Sequence, residues 1–258
     1  MRPLDPVVVE VLRDAYARTG SLRLVGRVYD LSPNTVRSYV DDLGVNTQEL
    51  VESLRSTDDL LIGTYVGLWM GDGTQYREQR GKYTVKICCN ADCVELNVFI
   101  RQLLLDLFGK RSSLFCRPNS KSAVLQFYSR FIFSFINTYV LFEENKTHSV
   151  RLRHVLLSYS RKFIEGCFLG LMLSDGSLKQ QLRFNVTSFA LSENMMELLS
   201  FFGFHPKRYV RYNTANGRKD LYLVWLGRVE SRMASGLLDR ILNELGCDTP
   251  FVHLKEGR

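Results

Sequence analysis

Apolar and polar positions follow two different periods along this chain, and the switches between them mark its elements. Tyr83, Val85 and Ile87 alternate with Lys82, Thr84 and Lys86, and Leu182, Phe184 and Val186 alternate in the same way with Arg183, Asn185 and Thr187. A period of two belongs to a strand with one buried face. Longer stretches with an apolar stripe at helical spacing separate such runs. Together they predict strands near 74–80, 82–89, 112–118, 122–128, 177–181, 182–188, 206–212 and 220–226, with helices at 92–108, 130–140, 192–202 and 229–245.

The first 46 residues have no strand pattern. Pro6 to Arg18 shows an apolar stripe, Gly20–Ser21 interrupts it, and Leu22 to Tyr29 forms a second short helix. Ser32–Pro33 then opens a third, with serine at the N-cap and proline at the first helical position. The turn Asp30–Leu31–Ser32 and the opening Ser-Pro-Asn-Thr-Val-Arg resemble the helix-turn-helix of repressors and transposases. That resemblance implies that Asn34, Thr35, Arg37 and Ser38 face a DNA groove; a three-helix packing or protein-contact module would show the same pattern. Residues 47–57, polar and rich in Gln, Glu, Ser and Thr, read as a connector.

Beyond the connector the chain repeats itself. A constant offset carries Gly63, Gly67, Gly71, Asp72 and Gly73 onto Gly166, Gly170, Ser174, Asp175 and Gly176 without a gap, and the elements that follow recur in the same order. Each half reads αββαββα, the first over 58–145 and the second over 161–258, with a linker at 146–160. The expected fold is therefore α+β: a pseudo-two-fold pair of αββαββα repeats preceded by a small all-α domain at 1–46. Small residues spaced four apart line one stripe of a helix, and such stripes let two helix backbones approach closely. The two repeated helices should thus pack on each other, with Gly73 and Gly176 ending them in the left-handed conformation.

This arrangement sets Asp72 and Asp175 side by side at the negative ends of two helix dipoles. Like charges placed so make sense around a divalent cation. Few, charged oxygen ligands with room for water and a substrate phosphate favour Mg²⁺. An Asp-Gly turn explains one copy of the motif equally well; two copies after matched small-residue stripes are better explained by a shared site.

Composition narrows the reading further. With 258 residues, 45% of them hydrophobic, the chain can fill a core, which excludes a disordered or low-complexity protein. Its apolar stretches near 60–71 and 163–173 are short and interrupted, so no membrane is expected as a partner. The six cysteines read as reduced thiols of a cytoplasmic protein. Cys88, Cys89 and Cys93 lack a second pair at zinc-ligand spacing, and the four histidines form no ligand set. The net charge is +7, while residues 1–58 hold seven arginines, no lysine and nine carboxylates, so the positive excess lies entirely in the repeats. A basic surface of that size suits a polyanion.

Tyr65-Val-Gly-Leu-Trp-Met-Gly-Asp-Gly73 and Phe168-Leu-Gly-Leu-Met-Leu-Ser-Asp-Gly176 resemble the two motifs of a single-chain LAGLIDADG homing endonuclease, over roughly residues 58–247. Met70 and Leu173 stand where members of that family often carry a first acidic residue; Asp72 and Asp175 occupy the position of the metal-binding one. The resemblance implies a monomer whose two sheets straddle double-stranded DNA and which hydrolyses both strands at a long site with Mg²⁺ or another divalent cation. It further implies metal contacts from the carbonyls of Gly71 and Ser174, catalytic assistance from Arg130 and Arg228 at the start of each last helix, and water positioning by Ser188, whose counterpart falls on Cys89 or Asn90. The polar strand faces would carry the DNA contacts: Lys82, Thr84 and Lys86 in one half, Lys179, Arg183, Asn185, Lys207 and Arg211 in the other, where Arg and Lys can pair with guanine and Asn with adenine. Two other functions fit the same fold, an intron RNA maturase and a DNA-binding transcriptional regulator. An intein does not, because splicing blocks are missing: the chain neither begins with Cys or Ser nor ends in His-Asn.

Overall fold

A computed structural model describes residues 6–19, 21–40, 58–78, 81–109, 112–116, 121–212 and 220–256, apart from the side chains of 6, 17–19, 38 and 254–256. By its internal contacts the chain forms two compact units, Met1–Leu54 and Arg55–Arg258.

The smaller unit holds α1 (Pro6–Thr19), α2 (Leu22–Val28) and α3 (Pro33–Val40) around a core of Leu12, Val25, Val36 and Val40. Ser21 caps α2 by accepting from the Leu24 amide, and Ser32 accepts from the Thr35 amide at 3.0 Å. The turn between α2 and α3 is tight for a steric reason. A Cβ on Gly26 would lie 2.5 Å from the Leu31 carbonyl oxygen, so only glycine lets the helix come so near, while Asp30 turns the chain with φ +51°.

The larger unit is built on α4 (Asp59–Asp72) and α8 (Arg161–Ser174), two helices apolar nearly all round and buried over most of their length. Between them run β1 (Gly73–Arg77), β2 (Tyr83–Asn90), α5 (Val94–Phe108), β3 (Ser113–Cys116), β4 (Ser122–Tyr128) and α6 (Arg130–Tyr139). A small ribbon of β5 (Val140–Leu141) and β6 (Arg151–Leu152) follows, with the short helix α7 (Lys146–Ser149) in its turn. After α8 come β7 (Gly176–Ser177), β8 (Arg183–Val186), α9 (Phe189–Phe201), β9 (Lys207–Arg211), β10 (Leu221–Trp225), α10 (Arg228–Glu244) and α11 (Phe251–Glu256). Each repeat folds its strands into one antiparallel sheet, ordered β1-β2-β4-β3 and β7-β8-β10-β9. The expected order of elements in both halves is present, and the fold is α+β as anticipated.

Register fixes which side chains share a face. In the first sheet Thr74 pairs with Lys86, Tyr76 with Thr84, and Tyr128 with Thr84 from the other side, so the side chains at these positions lie on one face. Val85, Ile87, Leu125 and Phe127 occupy the opposite, buried face. In the second sheet Trp225 pairs with both Arg183 and Lys207, and Leu223 with Asn185 and Tyr209. Among the described residues no helix is long and apolar enough to cross a membrane.

Candidate active site

Four glycines set the geometry of the helix pair. A Cβ on Gly63 would stand 2.1 Å from the Phe163 carbonyl oxygen and one on Gly67 2.3 Å from that of Cys167; on the other helix, Gly166 would meet Leu60 O at 2.2 Å and Gly170 would meet Thr64 O at 2.2 Å. The offset that aligns the repeats turns each contact into its partner, so the pseudo-two-fold relation runs through backbone against backbone. At the end of the pair a Cβ on Gly71 would lie 2.0 Å from Ser174 Oγ and 3.0 Å from Asp175 Oδ2. Asp72 is the last residue of α4, and Asp175 follows α8 directly. The two carboxylates therefore do sit at adjacent helix ends.

Gly73 and Gly176 act differently from the expectation. Gly73 is extended, with φ −82° and ψ 149°, and Gly176 is absent from the positive-φ glycines. What both positions need is space: a Cβ on Gly73 would lie 2.5 Å from the Trp69 ring, and one on Gly176 2.6 Å from Met172.

A residue of the linker completes the site. Lys146, first in α7, donates from Nζ to the carbonyls of Gly71 at 2.9 Å and Gly73 at 2.6 Å, on either side of Asp72. The same ammonium lies 4.8 Å from the centre of the Trp69 ring. Burial pulls its pKa down to about 8, against the attraction of Asp175 and Asp72. The segment carrying it is tied to the second repeat: Thr187 Oγ1 donates to the Thr147 carbonyl at 3.0 Å, and the Leu152 amide donates to Asn194 Oδ1 at 2.9 Å. Lys146 thus spans the two halves. Repeat logic could not find it, because it belongs to the connecting ribbon and has no counterpart under the offset; its only sequence signal is a lysine in a polar run ahead of the second motif.

Other expected residues fall in two groups. Arg130 and Arg228 are exposed first residues of α6 and α10, and the Arg130 guanidinium lies 5.8 Å from the centre of the Tyr83 ring. Lys82, Lys86, Lys207, Arg183, Asn185 and Arg211 belong to the outward sides of the two sheets; Lys179 lies in the β7–β8 connection, not on a strand. Aromatic rings accompany these cations, with Lys82 Nζ 3.4 Å from the centre of the Tyr128 ring, Lys86 5.0 Å from that of Tyr76, and Lys207 5.4 Å from that of Trp225. Strand alternation points to the cations, and the same alternation turns the rings of Tyr76 and Tyr128 outward beside them.

Burial changes three of these expectations. Thr84 is fully buried and donates to Glu78 Oε1 at 2.9 Å, so it is no DNA contact. Ser188 is the N-cap of α9, buried, accepting from the Leu191 amide at 3.1 Å and donating to the Val150 carbonyl at 3.1 Å, which leaves its hydroxyl a structural part in place of a water-positioning one. Its counterpart as first cap in the other repeat is Cys93, not Cys89 or Asn90. In the smaller unit Thr35 shares its hydroxyl with Ser32 at 2.7 Å, while Asn34 and Arg37 are exposed and the Ser38 side chain lies outside the described residues.

A cavity of about 270 Å³ opens beside Asp72 and Ser174, walled by Cys88, Cys89, Cys93 and Leu96. Among the described residues no three His, Cys, Asp or Glu side chains converge on one point. Any ion at the helix ends would therefore rest on two carboxylates and backbone carbonyls, with water or substrate filling the remaining positions. The residues present fit such an ion: the donors are hard oxygens from both repeats, and a cation, the Lys146 ammonium, already stands among them.

No family model matches the chain, and no curated protein matches it. Solved structures do, and the class they define is the LAGLIDADG homing endonuclease fold. Mesophilic variants of the homing endonuclease I-DmoI match 70% of this chain over 95% of their own, with a TM-score of 0.52 and 14% identity. I-DmoI in complex with DNA and Mn matches 70% over 96%, with a TM-score of 0.52 and 15% identity, and its complex with DNA and Ca matches 70% over 89%, with 0.50 and 15%.

Proposed function

We propose that this chain is a site-specific endonuclease that hydrolyses both strands of double-stranded DNA at a long recognition site, as a monomer and with Mg²⁺ or another divalent cation. The observation that carries this reading is the convergence of Asp72 and Asp175 on the ends of two helices packed backbone to backbone, with the half-buried Lys146 ammonium on the carbonyls beside Asp72. That the I-DmoI complexes contain DNA with Mn or Ca supports it.

In this reading Asp72, Asp175 and the carbonyls of Gly71 and Ser174 hold the metal, which would supply Lewis-acid stabilisation of a phosphodiester oxygen and lower the pKa of a bound water. The chain's own task is placement. The glycine-lined helix pair fixes the carboxylates to within a side-chain rotamer, because the backbones cannot slide without clashing. Arg130 and Arg228 add positive charge beside the strands for the phosphates around the scissile bond. Lys82, Lys86, Lys179, Arg183, Asn185, Lys207 and Arg211 engage the flanking duplex, and their cations supply the salt-dependent share of the affinity.

The test is cleavage of a selected site by Asp72→Asn and Asp175→Asn. Each variant should lose double-strand cleavage while binding DNA as well as the parent or better, since the sheet contacts are untouched. Full cleavage by either in Mg²⁺ would end the assignment. The unit within residues 1–46 we read as a helix-turn-helix-like module offering Asn34 and Arg37. Deleting it should leave cleavage chemistry intact and shorten the protected footprint on one flank; an unchanged footprint would make it a packing or protein-contact module.

A further inference from the structure

The outward face of the second sheet carries more than the cations assigned to DNA above. On β8 and β9 the two faces differ as a sheet buried on one side requires: Phe184 and Val186 are buried, while Arg183, Asn185, Lys207, Tyr209 and Arg211 are exposed. The strand between them, β10, breaks this rule. Val224 is fully buried on the side of Phe184, and α9 packs against both strands, yet Leu221, Leu223 and Trp225 on the outward face are apolar too, and half-buried. A strand that is apolar on both faces belongs to a sheet covered on both. Register surrounds this apolar ridge with polar groups: Trp225 lies between Arg183 and Lys207, Leu223 between Asn185 and Tyr209, and Leu221 beside Arg211. Three cations around the ridge suit a polyanion with apolar groups of its own better than an apolar protein face.

We propose that Leu223, with Leu221 on the same face, reads the C5-methyl group of thymine in the major groove, so that the half-site under the second sheet requires thymine there. This deepens the endonuclease reading and rests on it. The major groove admits a β-ribbon, and the thymine methyl is the apolar group that a base pair presents in it. Asn185, directly across from Leu223, suits adenine, so this patch favours A·T pairs over G·C. The first repeat supplies the contrast. Its Ser129 amide donates to the Tyr83 carbonyl at 3.1 Å as the Leu226 amide does to that of Leu182 at 3.2 Å, which matches Tyr128 with Trp225 and Gln126 with Leu223. Gln126 stands opposite Lys86 as Leu223 stands opposite Asn185. A glutamine amide pairs with adenine. One position of the fold therefore reads a different base group in each half, and the two half-sites should not be mirror copies.

The test deletes the methyl from the DNA. A cleavable site is selected from a randomised duplex pool with the full chain in Mg²⁺, and each thymine in it is then replaced singly by deoxyuridine, which removes the methyl and keeps the base pair. At one or two positions of one half-site, deoxyuridine should weaken binding, measured without Mg²⁺, about threefold to tenfold, as expected for one apolar carbon taken out of water. Leu223→Ala should bind thymine and deoxyuridine at those positions equally, and Leu223→Gln should prefer adenine there. Should Leu223→Ala not fold, Leu223→Gln gives the same test, since it removes the apolar surface while nearly keeping the volume. If the parent is indifferent to deoxyuridine at every position of a site that it cleaves, the inference is overturned and the endonuclease reading stands. A deoxyuridine effect that keeps its full size in the Leu223 variants and in Leu221→Ala overturns it as well. If the pool yields no cleavable site, both fall.

Discussion

Ile62 on the first central helix and Glu165 on the second occupy matched positions, and both are buried. One turn on, both repeats carry a ring pair, Tyr65 on Phe108 at 4.9 Å between ring centres and Phe168 on Phe202 at 5.4 Å; the first repeat extends it, with Phe108 on Phe135 at 5.4 Å and the Tyr65 hydroxyl buried without a hydrogen-bond partner. Around Glu165 the second repeat is ionic. Arg240 donates to its Oε1 at 2.9 Å, Arg161 at 3.2 Å, and Lys162 lies 3.7 Å from Oε2, itself paired with Glu244. One backbone arrangement thus tolerates two kinds of surroundings. What the repeats hold in common is where backbones touch backbones, one ring pair beneath them and where the aspartates stand; what differs is the charge buried at 62 and 165. The shared part is the part that shapes the site.

The most severe test addresses the shared part. Gly63→Ala and Gly166→Ala each place a methyl about 2 Å from a carbonyl of the facing helix, and neither helix can yield without parting the pair. Each should cost at least about 3 kcal/mol in denaturant unfolding, and by similar amounts, since the two contacts are partners under the pseudo-two-fold axis. Gly236→Ala, on a helix with nothing within 4 Å of the new methyl, should be neutral or stabilising. A large difference between the costs of Gly63→Ala and Gly166→Ala would break the symmetry argument.

Much of this shared geometry was legible in the sequence, because steric demands write themselves as residue type. Only glycine at 63, 67, 166 and 170 permits the approach, and four-residue spacing announces a helical stripe. Gly73 and Gly176 show the limit of the same logic. Glycine is required at both, but sequence does not say whether for conformation or for room, and room proves to be the reason. Lys146 was illegible because its meaning depends on where a ribbon returns, which no local pattern encodes. Thr84 and Ser188 sit at positions where alternation or motif suggested function, yet burial gives their hydroxyls to Glu78 and to a helix cap.

The ionic side of the comparison yields the next largest effect. Burial alone would raise the Glu165 pKa, but its hydrogen bonds from Arg240 and Arg161, with the charges of Arg240 and Lys162, outweigh burial and hold it below the usual carboxylate value. A carboxyl whose folded pKa lies below its unfolded one stabilises the protein above the ordinary carboxylate range and loses that contribution as pH falls through the folded value. Glu165→Gln should therefore cost about 2 kcal/mol at pH 7, in the range for disrupting a partly solvated buried charge network. The gap between variant and parent should close below about pH 4. A gap that persists unchanged at pH 3 would show that the network acts by shape and not by charge.

Helix caps separate the repeats more finely. Ser188 caps α9 through its hydroxyl, whereas Cys93 begins α5 with no side-chain cap bond. Ser188→Ala should lower stability by about 1 kcal/mol, while Cys93→Ala should cost less, having no cap bond to lose. Thermal unfolding of the two variants decides this; equal losses would mean that the buried Ser188 contributes by packing alone.

The smallest effects on stability, and the most informative about recognition, belong to the outward faces of the sheets. Arg183 and Lys86 are both on second strands, but Lys86 lies against the Tyr76 ring, and Arg183 stands in register with Trp225 across the strand pair. Neither Arg183→Ala, at an exposed position, nor Lys86→Ala, at a half-buried one on the outward face, should change unfolding by more than about 0.5 kcal/mol. On DNA each should lower the salt dependence of binding by about one counterion if it meets a phosphate. They should part ways in sequence preference. A guanidinium can pair with both acceptors on a guanine edge, so Arg183→Ala should relax the cleavage preference at one or two base pairs, by about 1–3 kcal/mol. A lysine drawn toward an aromatic face acts more as a point charge, and Lys86→Ala should weaken cleavage nearly uniformly across single-base variants of the site. The reverse outcome, with specificity lost on changing Lys86 and kept on changing Arg183, would shift base reading from the second sheet to the first.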